Sequence, residues 1–219
     1  MSDEVPNFLV VDIEAADEVK SKTEPWKSGV SVICGWGLRD FAPYVWLLDA
    51  ARFPRVILAE QHFAEVARKY DGIVTWNGTA YDDKVIAKKY PDAWKSLRRR
   101  RVDLHPIAAL LQAGVDPVKL AVNMPDNWAS LAPNIRGDFL GTGWSLDSAG
   151  KGTLGIGKLE GPQGAASVTA WKQGRYSEVT SYCIQDVAIT RAIYLHAFHS
   201  GTITSTERGR VEVPRVVLL

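Results

Sequence analysis

The chain has 219 residues, with Lys plus Arg at 26, Asp plus Glu at 25 and a formal net charge of +1. That balance excludes a histone-like polycation or an acidic tail protein. Apolar residues at 46% and charged residues at 23% exclude a disordered chain. No apolar run approaches the roughly 18 residues that a membrane span needs, so no membrane association is expected. The start, Met-Ser-Asp-Glu-Val-Pro, has neither a basic n-region nor an apolar h-region, so no signal peptide is expected. Cys34 and Cys183 form no framework and read as reduced residues of a cytoplasmic protein.

Residues 8–13 form a short β-rich run that reads as a buried strand. Residues 15–28 are polar, contain Pro25 and read as a loop. Two further β-rich runs, 29–38 and 43–48, flank a turn at Arg39-Asp40-Phe41-Ala42, which gives three antiparallel strands in succession. The period then changes. Residues 59–70 place Ala59, Phe63, Val66, Ala67 and Tyr70 at helical spacing. Residues 73–76 form a strand ending at the turn signal Asn77-Gly78. Helices are expected over 81–89, 92–98 and 106–112, with a short strand at 102–104. Residues 114–144 are rich in Gly, Pro and Asn and read as a long loop, a length that points to a functional segment. Ser145 precedes a helical pattern as an N-cap. Residues 156–166 are Gly-rich. Residues 175–199 carry the longest helical pattern, and 200–219 a turn followed by β-like residues. Strands first, then alternating strands and helices, indicate one α/β domain around a mixed sheet.

Three acidic elements stand out. Asp12-x-Glu14 ends the first strand, and residues two apart on a strand share a face. Paired anions of this kind suit a hard divalent cation, although a solvated strand end gives the same pattern. Asp82 follows Asn77-Gly78 in the first turn of a helix, where its charge complements the helix dipole. Asp83 lies beside it but points about 100° away around the helix. Tyr182 and Asp186, four apart on the long helix, share a face with Val179, Ile189 and Ile193. A carboxylate there needs a cation or a donor. The four histidines show no metal-binding spacing and read as structural or exposed.

The ordered set Val11-Asp12-Ile13-Glu14, Trp76-Asn77-Gly78-Thr79-Ala80-Tyr81-Asp82 and Tyr182-Cys183-Ile184-Gln185-Asp186 resembles the DEDD superfamily of 3′→5′ exonucleases. Tyr182 lies four residues before the last Asp, and Ser181 stands where another branch has His. The sequence is therefore similar to the tyrosine branch, DEDDy, which includes ribonuclease D and the proofreading domains of DNA polymerases. Ser145-Leu146-Asp147, Thr153-Leu154-Gly155, Gly157-Lys158 and Trp171-Lys172-Gln173-Gly174 resemble a prokaryotic and phage group of exonucleases close to the proofreading domain of family B polymerases. The resemblance covers about 8–199, so a core over those residues and a C-terminal tail at 200–219 are expected within one domain of 1–219. Motif one has Ala15-Ala16 where Thr is frequent. Motif two has Asp83 where an apolar residue is usual, and the family pattern assigns the metal to Asp82.

The resemblance implies a ribonuclease-H-like fold of α/β class, three antiparallel strands followed by parallel ones, flanked by helices. It implies two Mg2+ or Mn2+ ions held by Asp12, Glu14, Asp82 and Asp186, with Tyr182 orienting the attacking water. A phenol near its reference pKa of about 10 is a poor general base at pH 7. The expected substrate is a nucleic-acid 3′ end, single-stranded DNA ahead of RNA. Asn77, Trp76, Lys158, Arg98, Arg99 and Arg100 are substrate-binding candidates, the arginines as part of a cationic stretch over 84–101. A non-catalytic nucleic-acid-binding domain of the same fold is the alternative. It is disfavoured because all four acids and the Tyr are present.

Overall fold

The structure, a computed structural model, describes residues 4–21, 23–122, 143–158 and 160–219. Three antiparallel strands open it: β1 (Phe8–Ala15), β2 (Val30–Gly37) and β3 (Tyr44–Leu47). Two more, β4 (Gly72–Thr75) and β5 (Arg101–Asp103), run parallel to β1, and the sheet order is β3-β2-β1-β4-β5. This is the mixed sheet of ribonuclease-H-like type that the sequence led us to expect.

β1 is the central strand, and its alternation explains its place. Phe8 and Val10 belong to one apolar cluster, while Leu9, Val11 and Ile13 belong to the other. A strand buried on both faces needs apolar residues at nearly every position. Asp12 and Glu14 break that run on the face of Phe8 and Val10, as the even spacing requires.

On one face lie α1 (Val56–Ala67), α2 (Asp82–Lys89) and α3 (Pro91–Leu97). On the other lies α8 (Tyr176–Ser200), across β1 and β2, with α4 (Leu104–Gln112), α6 (Leu146–Leu154) and α7 (Ala165–Lys172) beside it. Ser145 caps α6 as its spacing predicts, its side chain accepting from Ser148 N at 3.1 Å. The residues expected as a tail form a hairpin, β6 (Thr202–Ser205) with β7 (Gly209–Glu212), packed on α6. Ile203, Val213 and Leu218 are buried in the same core as α8.

Two helices correct the sequence reading. Part of the expected loop over 114–144 is α5 (Pro117–Val122), begun by Pro117 and by Asp116, whose carboxylate accepts from Val118 N. Its helical period was invisible because only Leu120 is buried. Residues 123–142 of that expected loop lie outside the described residues. α7 lies where the sequence shows no apolar stripe, because residues 165–167 are small; Ser167, Val168, Ala170 and Trp171 are nonetheless buried.

Candidate active site

Parallel strands present their C-terminal ends to one edge, where open α/β sheets place ligands. The register Val10↔Val74 and Thr75↔Asp103 puts Asp12 just beyond the paired end of β4, level with that edge. The chain leaving β4 turns sharply at Asn77, the one non-glycine at positive φ among the described residues, at 64°. Asn tolerates this left-handed conformation better than most side chains. Gly78 is required there by space, because a Cβ would come within 2.4 Å of Thr75. The turn then opens α2 and delivers Asp82 as its first residue, buried. α8 delivers Tyr182 and Asp186 from one face, both buried. Three separate elements thus bring Asp12, Glu14, Asp82 and Asp186 into one electrostatic neighbourhood.

The site also contains a cation. Lys158, on the loop after α6, places Nζ 2.5 Å from Asp186 Oδ2 and donates to the Tyr182 hydroxyl, 4.3 Å from that ring's centre. Its backbone N–H is fixed by Asp147 Oδ1 at 2.8 Å. Glu14 Oε2 accepts from Ser167 Oγ at 2.7 Å. Behind Asp12, Cys183 Sγ donates to its backbone carbonyl at 3.4 Å. Asp12 Oδ2, Asp82 Oδ1 and Asp186 Oδ1 are buried without a hydrogen-bond partner. Buried polar atoms are ordinarily satisfied, so three orphans in one place are unusual.

The electrostatics follow from that crowding. Burial and then Asp186 push the Asp12 carboxyl up to about 7. Burial and then Asp12 push Glu14 up to about 8. Burial, Asp12 and Asp83 hold Asp82 well above the usual carboxylate range. Burial raises Asp186 too, with Lys158 pulling it back. Burial lifts the Tyr182 phenol to about 12, so its hydroxyl keeps its proton at neutral pH. Among the described residues no group of three or more His, Cys, Asp or Glu side chains is placed to hold a metal ion.

A cleft of about 320 Å³ opens over this edge, lined by Asp12, Trp76, Asn77, Trp144, Lys158 and Asp186 among others. His105 sits in its wall, edge-on to Trp76 with ring centres 6.1 Å apart, and burial lowers its pKa to about 4. Trp76 and Asn77 are therefore brought to the carboxylates. Arg98, Arg99 and Arg100 are not. They are exposed and precede β5, so they lie at the opposite end of the parallel strands. Three residues of strand separate Arg100 from Asp103, roughly 10 Å. Asp83 is also removed from the cleft, since Arg101 binds it at 2.5 Å and both side chains are 5% exposed. Ser167 and Asp103 were missed by sequence reasoning. Asp103, between Val102 and Leu104 at a strand end, lacks the second carboxylate two residues on that marks Asp12-x-Glu14.

Among the described residues no helix is long and apolar enough to cross a membrane. No protein-family model matches the chain, and no curated protein does. A similar solved structure is the family B DNA polymerase from the hyperthermophilic archaeon Pyrobaculum calidifontis, with a TM-score of 0.55 at 14% identity. The match covers 98% of this chain and 27% of the polymerase, so the chain spans about a quarter of that protein's length. At this identity the likeness shows a shared fold.

Proposed function

We propose that the chain is a metal-dependent 3′→5′ exonuclease of the DEDD type, acting on the 3′ end of nucleic acid with single-stranded DNA as the favoured substrate. The observation that carries this reading is the meeting of Asp12, Glu14, Asp82 and Asp186, from three elements, with an unpartnered buried oxygen on each of Asp12, Asp82 and Asp186 and a cleft lined by Asp12 and Asp186. Nothing in the packing of the sheet needs four carboxylates there, and their mutual repulsion opposes it. Oxygen donors alone are the set that Mg2+ or Mn2+ takes, so the residues present fit such ions. Asp12, Glu14, Asp82 and Asp186 would hold them.

Bound, the ions supply Lewis-acid stabilisation of a phosphate and a water of lowered pKa. The chain's own residues do the rest. Tyr182 keeps its hydroxyl proton and donates it as a hydrogen bond, orienting the reacting water rather than deprotonating it. Lys158, its backbone anchored on Asp147 and its Nζ on Asp186, would bring positive charge to a phosphate entering the cleft. Trp76 and Asn77 wall the cleft where a terminal nucleoside would lie.

The test uses 5′-labelled single-stranded DNA, duplex DNA and RNA, each with Mg2+, Mn2+ or EDTA. The expected result is a ladder shortening from the 3′ end with either metal and none in EDTA, abolished by Asp12→Ala. Full activity in EDTA, or products that begin in mid-strand, overturns the reading. Metal-independent binding with no cleavage by the wild type would assign a non-catalytic binding domain instead.

A further inference from the structure

The turn that delivers Asp82 is held from beneath by a residue outside the four carboxylates. Asp103 is 1% exposed. Its Oδ1 accepts from Asn77 N at 2.6 Å, and its Oδ2 accepts from Thr79 N at 2.9 Å. Asp103 also stands at the N-cap of α4, where an Asp ordinarily accepts from the first turn of its own helix. It makes no such bond. Both oxygens are diverted across the sheet edge to the turn, at a cost to the helix that the local sequence would otherwise have avoided. The bonds fall on the two residues flanking Gly78, in the stretch that leaves β4 with a left-handed Asn77 and enters α2 at Asp82, three residues after Thr79.

We propose that Asp103 is the positioning residue for Asp82: by clamping the N–H groups of Asn77 and Thr79 it fixes the direction in which α2 presents the Asp82 carboxylate to its metal. The inference rests on the exonuclease reading above. Residues that orient metal ligands through one intervening contact typically change metal affinity 10- to 100-fold when removed. Asp103→Asn is the sharp probe. It keeps the shape and one acceptor oxygen but sets an NH2 donor against an N–H donor, so one of the two bonds cannot form.

The experiment measures Mn2+ affinity by calorimetry without substrate. Asp103→Asn should weaken binding roughly 10-fold or more. Tyr70→Phe, which deletes the Tyr70–Asp40 bond at the far end of the sheet, serves as the stability control and should leave affinity within about twofold, the scatter expected of a distant, uncoupled site. In an Asp82→Asn background the Asp103→Asn effect should vanish, since a residue acting only through Asp82 has nothing left to position. If Asp103→Asn does not fold, Asp103→Ser is measured in the same way, with the same expectation. Unchanged Mn2+ affinity, or an equal loss in the Asp82→Asn background, overturns the inference while leaving the exonuclease reading intact. A wild type that binds no Mn2+, or binds it undiminished after Asp12→Ala, overturns both.

Discussion

Asp82 and Asp83 are neighbours at the start of α2 and both are buried, yet their surroundings differ. Asp83 is met by Arg101, whose guanidinium lies 2.5 Å away and stacks 5.1 Å from the centre of Trp94. Asp82 faces Asp12 instead, and like charge joins burial in holding its carboxyl above the usual range. One carboxylate is neutralised within the chain and the other is left facing like charge. A fold that can place an arginine beside one aspartate could have done so for the next. The contrast separates an ion pair that holds α2 to β5 from a carboxylate kept for something the chain does not itself provide. It also explains why a choice that sequence leaves open, Asp82 or Asp83, has a physical answer.

The largest expected effect breaks that contrast at its structural half. Arg101→Ala takes the guanidinium away from a buried carboxylate, and should cost about 3–5 kcal/mol in denaturant unfolding. Asp82→Asn in the metal-free protein should change stability by less than about 1 kcal/mol, or raise it, because it removes one of several repelling anions. A stable Arg101→Ala together with an unfolded Asp82→Asn would reverse the assignment of the two residues.

A smaller effect sharpens the comparison through pH. The folded-state pKa values of Asp12 and Glu14, about 7 and about 8, stand above the ordinary 3.8 and 4.5. The folded chain therefore holds protons that the unfolded chain releases. The stability these groups contribute is complete below about pH 4 and is lost as pH rises through about 7 to 8. Asp12→Asn should raise the Tm of the metal-free protein at pH 8 by roughly 2–4 °C, the shift expected for about 1 kcal/mol in a chain of this size, and leave it unchanged at pH 4. Saturating Mn2+ at pH 8 should reverse the order, since only the wild type keeps its full set of ligands. Equal Tm values at pH 8 without metal would show that the carboxylates do not repel.

The smallest effect concerns the other end of the sheet. Replacing Arg98 and Arg99 with Gln should leave the rate at saturating substrate unchanged, because neither reaches the cleft. If both touch the strand backbone, the slope of log K against log salt on single-stranded DNA flattens by about 1.4, or about 0.7 for each phosphate contact. An unchanged slope confines substrate binding to the cleft edge and makes the arginines ordinary surface.

Sequence alone determined the strands and most helices, because their signals are local. The Phe8–Ile13 run, the Asn77-Gly78 turn, the Ser145 cap and the long period of α8 each state their element within a few residues. It also determined that Asp12 and Glu14 share a face, and that Tyr182 and Asp186 do, since strand and helix periods fix this without tertiary knowledge. The short helices α5 and α7 escaped because they bury too little apolar surface, or too small a side chain, to print a period.

Which charges meet was decided by the tertiary structure. Lys158 is 28 residues from Asp186, and Asp103 is 24 from Thr79. No local pattern joins either pair. The same holds for Arg101 with Asp83, and for the separation of Arg98 to Arg100 from the cleft, which follows only once β5 is known to run parallel to β4. Electrostatic partners are set by the crossing of distant segments, and sequence periodicity reports only the face on which each residue arrives.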